Sequence, residues 1–98
     1  MNGCSRGSSV FKVPGGKLIK VKLELEDGII NLIQVQGDFF MHPEEAIEEL
    51  ETVLAGSSSN ELHKVKDFFS SRDVQLVGVV PEDIVTAITM ALENAKQQ

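Results

Sequence analysis

The chain has 98 residues, enough for one domain that buries roughly 65% of its unfolded surface and too few for a deep private active site. Its 42% hydrophobic and 24% charged residues are ordinary for a soluble globular protein, and a formal charge of −6 argues against duplex nucleic acid and anionic membranes as partners. A single cysteine, Cys4, excludes an internal disulfide and a cysteine-rich metal site, and five Phe without Trp or Tyr leave little for base stacking.

Residues 1–9 are rich in Gly and Ser and read as a mobile arm. They hold no apolar run, hence no signal peptide, and no segment nears the ~20 apolar residues of a membrane span. The expected location is cytoplasmic. The expected organisation is a flexible arm over residues 1–10 and one folded domain over residues 11–98, with a short extended stretch at 10–13.

Residues 17–26 alternate. Ile19, Val21, Leu23 and Leu25 point one way, and Lys20, Lys22, Glu24 and Glu26 the other, which predicts a half-buried antiparallel strand. Asp27-Gly28 marks a hairpin. A strict two-residue turn sets Lys20 and Lys22 on the face of Val35 and Ile33. A three-residue loop with Gly28 left-handed sets Val21 beside Ile33 and Ile19 beside Val35, and is preferred because one face stays apolar. The return strand covers 29–40, and the polar interruption at Asn31 signals a bulge.

A helix is expected over 43–55. Pro43 suits its first position, Glu44 and Glu45 the positive end of its dipole, and Gly56 its stop. Ile47, Leu50, Val53 and Leu54 form its buried stripe. Ser58 and Glu61 have capping-box spacing and open a second helix to about Phe69, which buries Leu62, Val65 and one of Phe68 or Phe69. Residues 74–79 read as a third strand. Pro81 opens a last helix buried through Ile84, Ala87, Ile88, Ala91 and Leu92. The order β-β-α-α-β-α predicts a two-layer α+β domain: an antiparallel hairpin plus a third strand, with helices on one face.

Two stretches stand out for function. Around Lys12, Gly15, Gly16 and Lys17, glycine backbone lets N–H groups approach an anion, and the lysines add charge. The phosphate-loop pattern is absent and a strand follows, so a plain turn explains the same residues. In Phe39-Phe40, strand alternation sends one ring to the core and leaves the other as an interface anchor. A bend at Met41 would instead bury both. Asp38, His42, Glu44 and Glu45 lack metal-ligand spacing, and His42 fits a helix cap or staple. His63 is expected in solvent. No nucleophile, base and orienter occur together, so no catalytic residue is assigned.

From Lys12 to Glu45 the chain resembles the C-terminal accessory domain of lipoate–protein ligases, above all where that domain is a separate small subunit of a bipartite ligase. The resembling residues are Pro14-Gly15-Gly16-Lys17-Leu18, the Asp27-Gly28 hairpin, and Gly37-Asp38-Phe39-Phe40 followed by His42-Pro43-Glu44-Glu45. The later elements fit in order without a sharp motif, and the short length suits a free-standing subunit. The resemblance implies a fold akin to the NifU/SufE type. It implies a non-catalytic accessory role with a large catalytic subunit that activates lipoate with ATP and Mg²⁺ to lipoyl-AMP. The lipoyl group then passes to a lysine of an acceptor domain, in a 2-oxoacid dehydrogenase E2 or the glycine cleavage H protein. The small domain is needed for activation and much less for transfer. ATP, Mg²⁺ and lipoate belong to the complex, and none is bound by this chain alone. Lys12, Lys17 and the Gly15-Gly16 amides become nucleotide-side candidates. Asp38, Phe39, Phe40 and His42 become partner-interface candidates. The family's catalytic lysine has no counterpart here. The kinship also raises an alternative, a NifU-like structural adaptor or assembly protein without ligase activity. The single thiol opposes a cluster scaffold.

Overall fold

The computed structural model describes residues 4–96. It is an α+β domain with a three-stranded antiparallel sheet, a small second sheet and three helices. The large sheet runs β1 (Cys4–Lys12), β2 (Leu18–Glu26) and β3 (Ile29–Gly37), side by side in that order. The small sheet pairs β4 (Phe40–His42) with β5 (Gln75–Val77). The helices are α1 (Ala46–Leu54), α2 (His63–Ser71) and α3 (Pro81–Lys96), with a 3₁₀ turn at Ser59–Glu61.

Two strands were not expected, and the third expected strand pairs with one of them rather than with the hairpin. The stretch read as a mobile arm is β1 from Cys4 onward, paired with β2 along its whole length. Residues 1–3 of that arm lie outside the described residues. The reason is packing with small residues. Gly7 and Ser9 face inward on β1, against the buried Ala87, Ala91 and Ala95 of α3. A Cβ on Gly7 would collide with the Ala91 carbonyl and with Ala95, so the glycine sets how close helix and sheet lie. The buried Ser9 Oγ donates to the Ala87 carbonyl at 2.6 Å, and Asn94 Nδ2 donates to the Ser8 carbonyl at 2.7 Å.

The β2–β3 hairpin combines a tight turn with a bulge. Asp27 and Gly28 both take positive φ, 54° and 82°, and Glu26 faces Ile29 across a two-residue turn. The register then shifts, so that Leu25 faces Ile30 but Glu24 faces Leu32, and Asn31 is the extra residue. Val21 therefore meets Val35 and Leu23 meets Ile33, in place of the expected pairs. The bulge returns the apolar residues of β3 to one face, the result for which the longer loop was invoked. Beyond it, the outer edge of β3 is covered. Ile30 N–H donates to Ser57 O at 2.8 Å, Gly56 N–H to Ile30 O at 2.7 Å, and Val35 N–H to the Glu51 carboxylate at 2.8 Å.

Helix α1 starts at Ala46, not Pro43. The backbone of residues 40–42 is committed to β4, so the chain must leave the sheet and turn before a helix begins. His42 is thus a strand residue and caps nothing. Gly56 follows the helix with φ 92°. The Ser58–Glu61 capping box is present but starts the 3₁₀ turn. The Glu61 carboxylate accepts from Ser58 N–H at 3.0 Å, and α2 begins two residues later. The stripe of α3 is as expected, with Ile84, Ala87, Ile88, Ala91 and Leu92 buried; in α2 Val65 and Phe68 are buried, whereas Leu62 precedes the helix and is half-buried. Among the described residues, no helix is long and apolar enough to cross a membrane.

The Ser58 N–H and then the Lys64 ammonium hold Glu61 below the ordinary carboxylate range. A lowered folded-state pKa gives stability that is present above the unfolded pKa and lost as pH falls through the folded one. Glu61→Gln keeps the cap geometry and removes the titration. Its stability should decline less than that of the parent chain below pH 4.5, as read by denaturant melts across the acid range.

Candidate functional site

The two stretches singled out above meet at one end of the sheet. Val13 N–H donates to Lys17 O at 2.8 Å, and Gly16 N–H donates to Val13 O at 3.0 Å, which closes the turn between β1 and β2. Gly15 and Gly16 have φ of 106° and 105°, a region that side chains disfavour, and open space surrounds the places where a Cβ would stand. Backbone conformation therefore accounts for both glycines. The Gly16 amide is already engaged within the turn, so it is not free to meet an anion, and only Gly15 keeps that possibility.

Lys17 leaves the turn across the loop that joins β5 to α3. Its Cγ and Cε lie 3.1 Å from where a Cβ on Gly78 would stand, so glycine at 78 makes room for the lysine stem. Lys12 is exposed on the opposite side of β1 from Phe11, which packs on the core.

Asp38 ties the turn to the end of β3. Its Oδ1 accepts from Leu18 N–H at 2.7 Å, and its own N–H donates to Leu18 O at 3.3 Å. The residue extends the β2–β3 ladder, which gives it an internal role apart from any interface.

Alternation settles the two phenylalanines. Phe39 packs against the core and Met41 is buried, whereas Phe40 is 69% exposed. Across the small sheet Phe40 faces Val77, 56% exposed, and Val80 follows on the next loop at 52%. His42 shares the outward face of β4 with Phe40, opposite Gln75. Beside this patch lies a cleft of about 320 Å³, lined by Gly37, Phe39, Phe40, Met41, Glu44 and Ile47. Reasoning from the sequence missed Val77, Gly78 and Val80. The run from Val77 to Val80 is more apolar than a short strand buried on one side requires, and that was the available signal.

The arrangement suits docking. It offers an aromatic anchor in an apolar setting and a lysine braced at its edge. Among the described residues, no group of three or more His, Cys, Asp or Glu converges.

The family described as the bacterial lipoate protein ligase C-terminus matches residues 11–88. Lipoate-protein ligase A subunit 2 of Thermoplasma acidophilum is 41% identical over 71 residues, covering 72% of this chain and 76% of the relative. A solved structure from the same organism, of an archaeal lipoylation system with a bipartite lipoate protein ligase and its E2 lipoyl domain, shares the fold. The TM-score is 0.79 at 37% identity, over 90% of this chain and 97% of that one. A match through both layers of the domain, and through the Phe40 and Lys17 stretches, leads to one conclusion: this chain belongs to the family of the lipoate protein ligase C-terminus.

Proposed function

We propose that this chain is the non-catalytic accessory subunit of a two-part, cytoplasmic lipoate–protein ligase. It pairs with a large catalytic subunit as a heterodimer and is required for ATP-dependent activation of lipoate to lipoyl-AMP. The complex then loads a lysine of an acceptor domain, an E2 lipoyl domain or an H protein. The observation that carries the reading is Phe40, a large apolar ring left in solvent on a sheet face, in a chain whose described residues hold no catalytic constellation. A buried aromatic anchor is what a stable subunit contact needs. The match to a subunit 2 and to the bipartite ligase supports this reading.

Activation drives the lipoate carboxylate onto the α-phosphorus of ATP and releases pyrophosphate. The gathering negative charge must be balanced and water kept away. This chain contributes by closing over its partner and holding the partner's loops in the competent arrangement. Lys17, braced on Gly78, is positioned to add positive charge at the edge of the contact, with the Gly15 amide beside it. ATP, Mg²⁺ and lipoate are held by the complex.

Lys17→Ala should lower pyrophosphate release by about tenfold, the scale of one charge-assisted contact, while the two subunits still co-elute. A variant that fails to bind its partner would make Lys17 an interface residue. Failure of the parent chain to stimulate the catalytic subunit at all would remove the ligase reading.

A further inference from the structure

Lys17 is held at two points. Its carbonyl accepts from Val13 N–H at 2.8 Å, which pins the root of the side chain in the β1–β2 turn. Its stem then runs over Gly78, in the loop between β5 and α3. A Cβ on Gly78 would stand 3.1 Å from Cγ, 3.3 Å from Cδ and 3.1 Å from Cε, so three successive methylenes lie along the bare backbone of one glycine. Lys17 is half-buried. Gly78 has φ 99° and lies between the exposed Val77 and the buried Val79, with the exposed Val80 beyond. The loop that carries two apolar neighbours of Phe40 therefore also carries the seat of the lysine.

Among the described residues, no carboxylate pairs with Lys17, whereas Lys64 pairs with Glu61, Lys66 with Glu82 and Arg72 with Glu49. An ion pair orders a lysine by neutralising it. Packing of the stem orders it and leaves the charge intact. A side chain ordered in advance also gives up less freedom on meeting its ligand. We propose that Gly78 is a positioning residue for lipoate activation. It seats the Lys17 stem so that the uncompensated ammonium faces the anionic phosphates of the nucleotide once the catalytic subunit covers the Phe40 patch. The inference rests on the ligase reading above. Covering Val77 and Val80 removes water from the same loop, which strengthens the interactions of a charge held there.

Substitution at Gly78 separates the seat from the fold. The atoms that a Cβ would crowd belong to a flexible side chain, so the lysine yields; at Gly7 they belong to a buried helix. Alanine at 78 also brings the strain of a positive φ. Gly56→Ala is the control for that strain. Gly56 has φ 92° with open space where a Cβ would stand, and it lies beside Ile30, toward the other end of the sheet.

The test uses the assembled ligase with Gly78→Ala, Lys17→Ala, both together, and Gly56→Ala, and follows pyrophosphate release from lipoate and ATP. Gly78→Ala should lower release by about fivefold while the subunits still co-elute, the scale of a small misplacement near the reacting groups. In the Lys17→Ala background the same change should cost less than about 1.5-fold, because the residue it acts through is gone. Gly56→Ala should leave release near that of the parent. A purely structural role for Gly78 predicts equal losses in the two backgrounds, and that result would overturn the proposal. So would a Gly78→Ala complex that behaves like the Gly56→Ala one. Acetylation by acetic anhydride, read by peptide mass spectrometry on the full chain, checks the seat without turnover. Gly78→Ala should speed acetylation of Lys17 relative to the exposed Lys20, and an unchanged ratio would show that Gly78 does not seat the lysine. A parent complex that makes no lipoyl-AMP would refute the ligase reading, and the acetylation ratio would still decide the seat.

Discussion

Gly7→Val should lower the stability of the folded chain by about 3 kcal/mol, a fall of roughly 12–24 °C in Tm for a domain of this size. Domains of this kind hold only about 5–15 kcal/mol in all, so the loss is a large share. Valine is a good strand residue, and propensity alone would favour the change. The cost arises because a Cβ at this position meets the Ala91 carbonyl and Ala95, backbone and side chain of a buried helix that has nowhere to retreat. To admit the branched side chain, α3 must rise from β1, which would stretch the Ser9–Ala87 and Asn94–Ser8 hydrogen bonds. Ser8→Val, one residue on and facing solvent, is the control and should stay within about 0.5 kcal/mol of the parent. Thermal melts of the two variants decide. Equal Tm values would mean that β1 is not seated against α3 as described.

Phe40→Asp should weaken association with the catalytic subunit by about 100-fold or more, near 3 kcal/mol, while the isolated chain unfolds at its usual temperature. Exposure predicts this separation. At 69% exposed, the ring contributes little to the folded monomer, whereas at an interface it would lose most of its contact with water. Aspartate also brings a charge into a contact that would have to desolvate it. Val77→Ala, across the sheet from Phe40, should give a smaller loss in the same direction. Calorimetric titration of the two subunits reads the effect. Undiminished affinity for the Phe40 variant would place the subunit contact elsewhere.

The α+β class and the stripe of the last helix were legible because apolar spacing at 3.6 residues is hard to produce otherwise, as in Ile84, Ala87, Ile88, Ala91 and Leu92; in the first helix Leu50 and Leu54 are buried as expected, Ile47 and Val53 only partly, and Ala46 joins the core instead. β1 was hidden because the small residues that mark a loose arm also mark close packing. Gly7 and Ser9 carry no hydrophobic signal. The complementary Ala87 and Ala91 were read only as part of a generic helix face and Ala95 was not singled out, yet small residues on both sides are the sign of two elements in tight contact. The hairpin register failed for a different reason. Asp27-Gly28 and Asn31 were each recognised, but a three-residue loop was preferred to the two-residue turn, and it is the two-residue turn combined with the bulge at Asn31 that places Val21 opposite Val35. β4 is three residues long, too short for any period to show.

The site divides along the same line. Phe39 and Phe40 followed from alternation once a strand was granted, and the structure assigns the core to the first and solvent to the second. The glycine turn was placed correctly, but its hydrogen bonds were not visible: a tight turn must satisfy its own amides, and Gly16 does so with Val13. Asp38 likewise looked free in sequence and is engaged by Leu18 N–H in the fold.

The central claim is that this chain completes a ligase whose chemistry resides in its partner. The most direct measurement is lipoyl-AMP formed from lipoate and ATP in three parallel mixtures: the catalytic subunit alone, this chain alone, and both together. The account predicts product in quantity only from the third. Equal product from the catalytic subunit by itself, or product from this chain by itself, would contradict it.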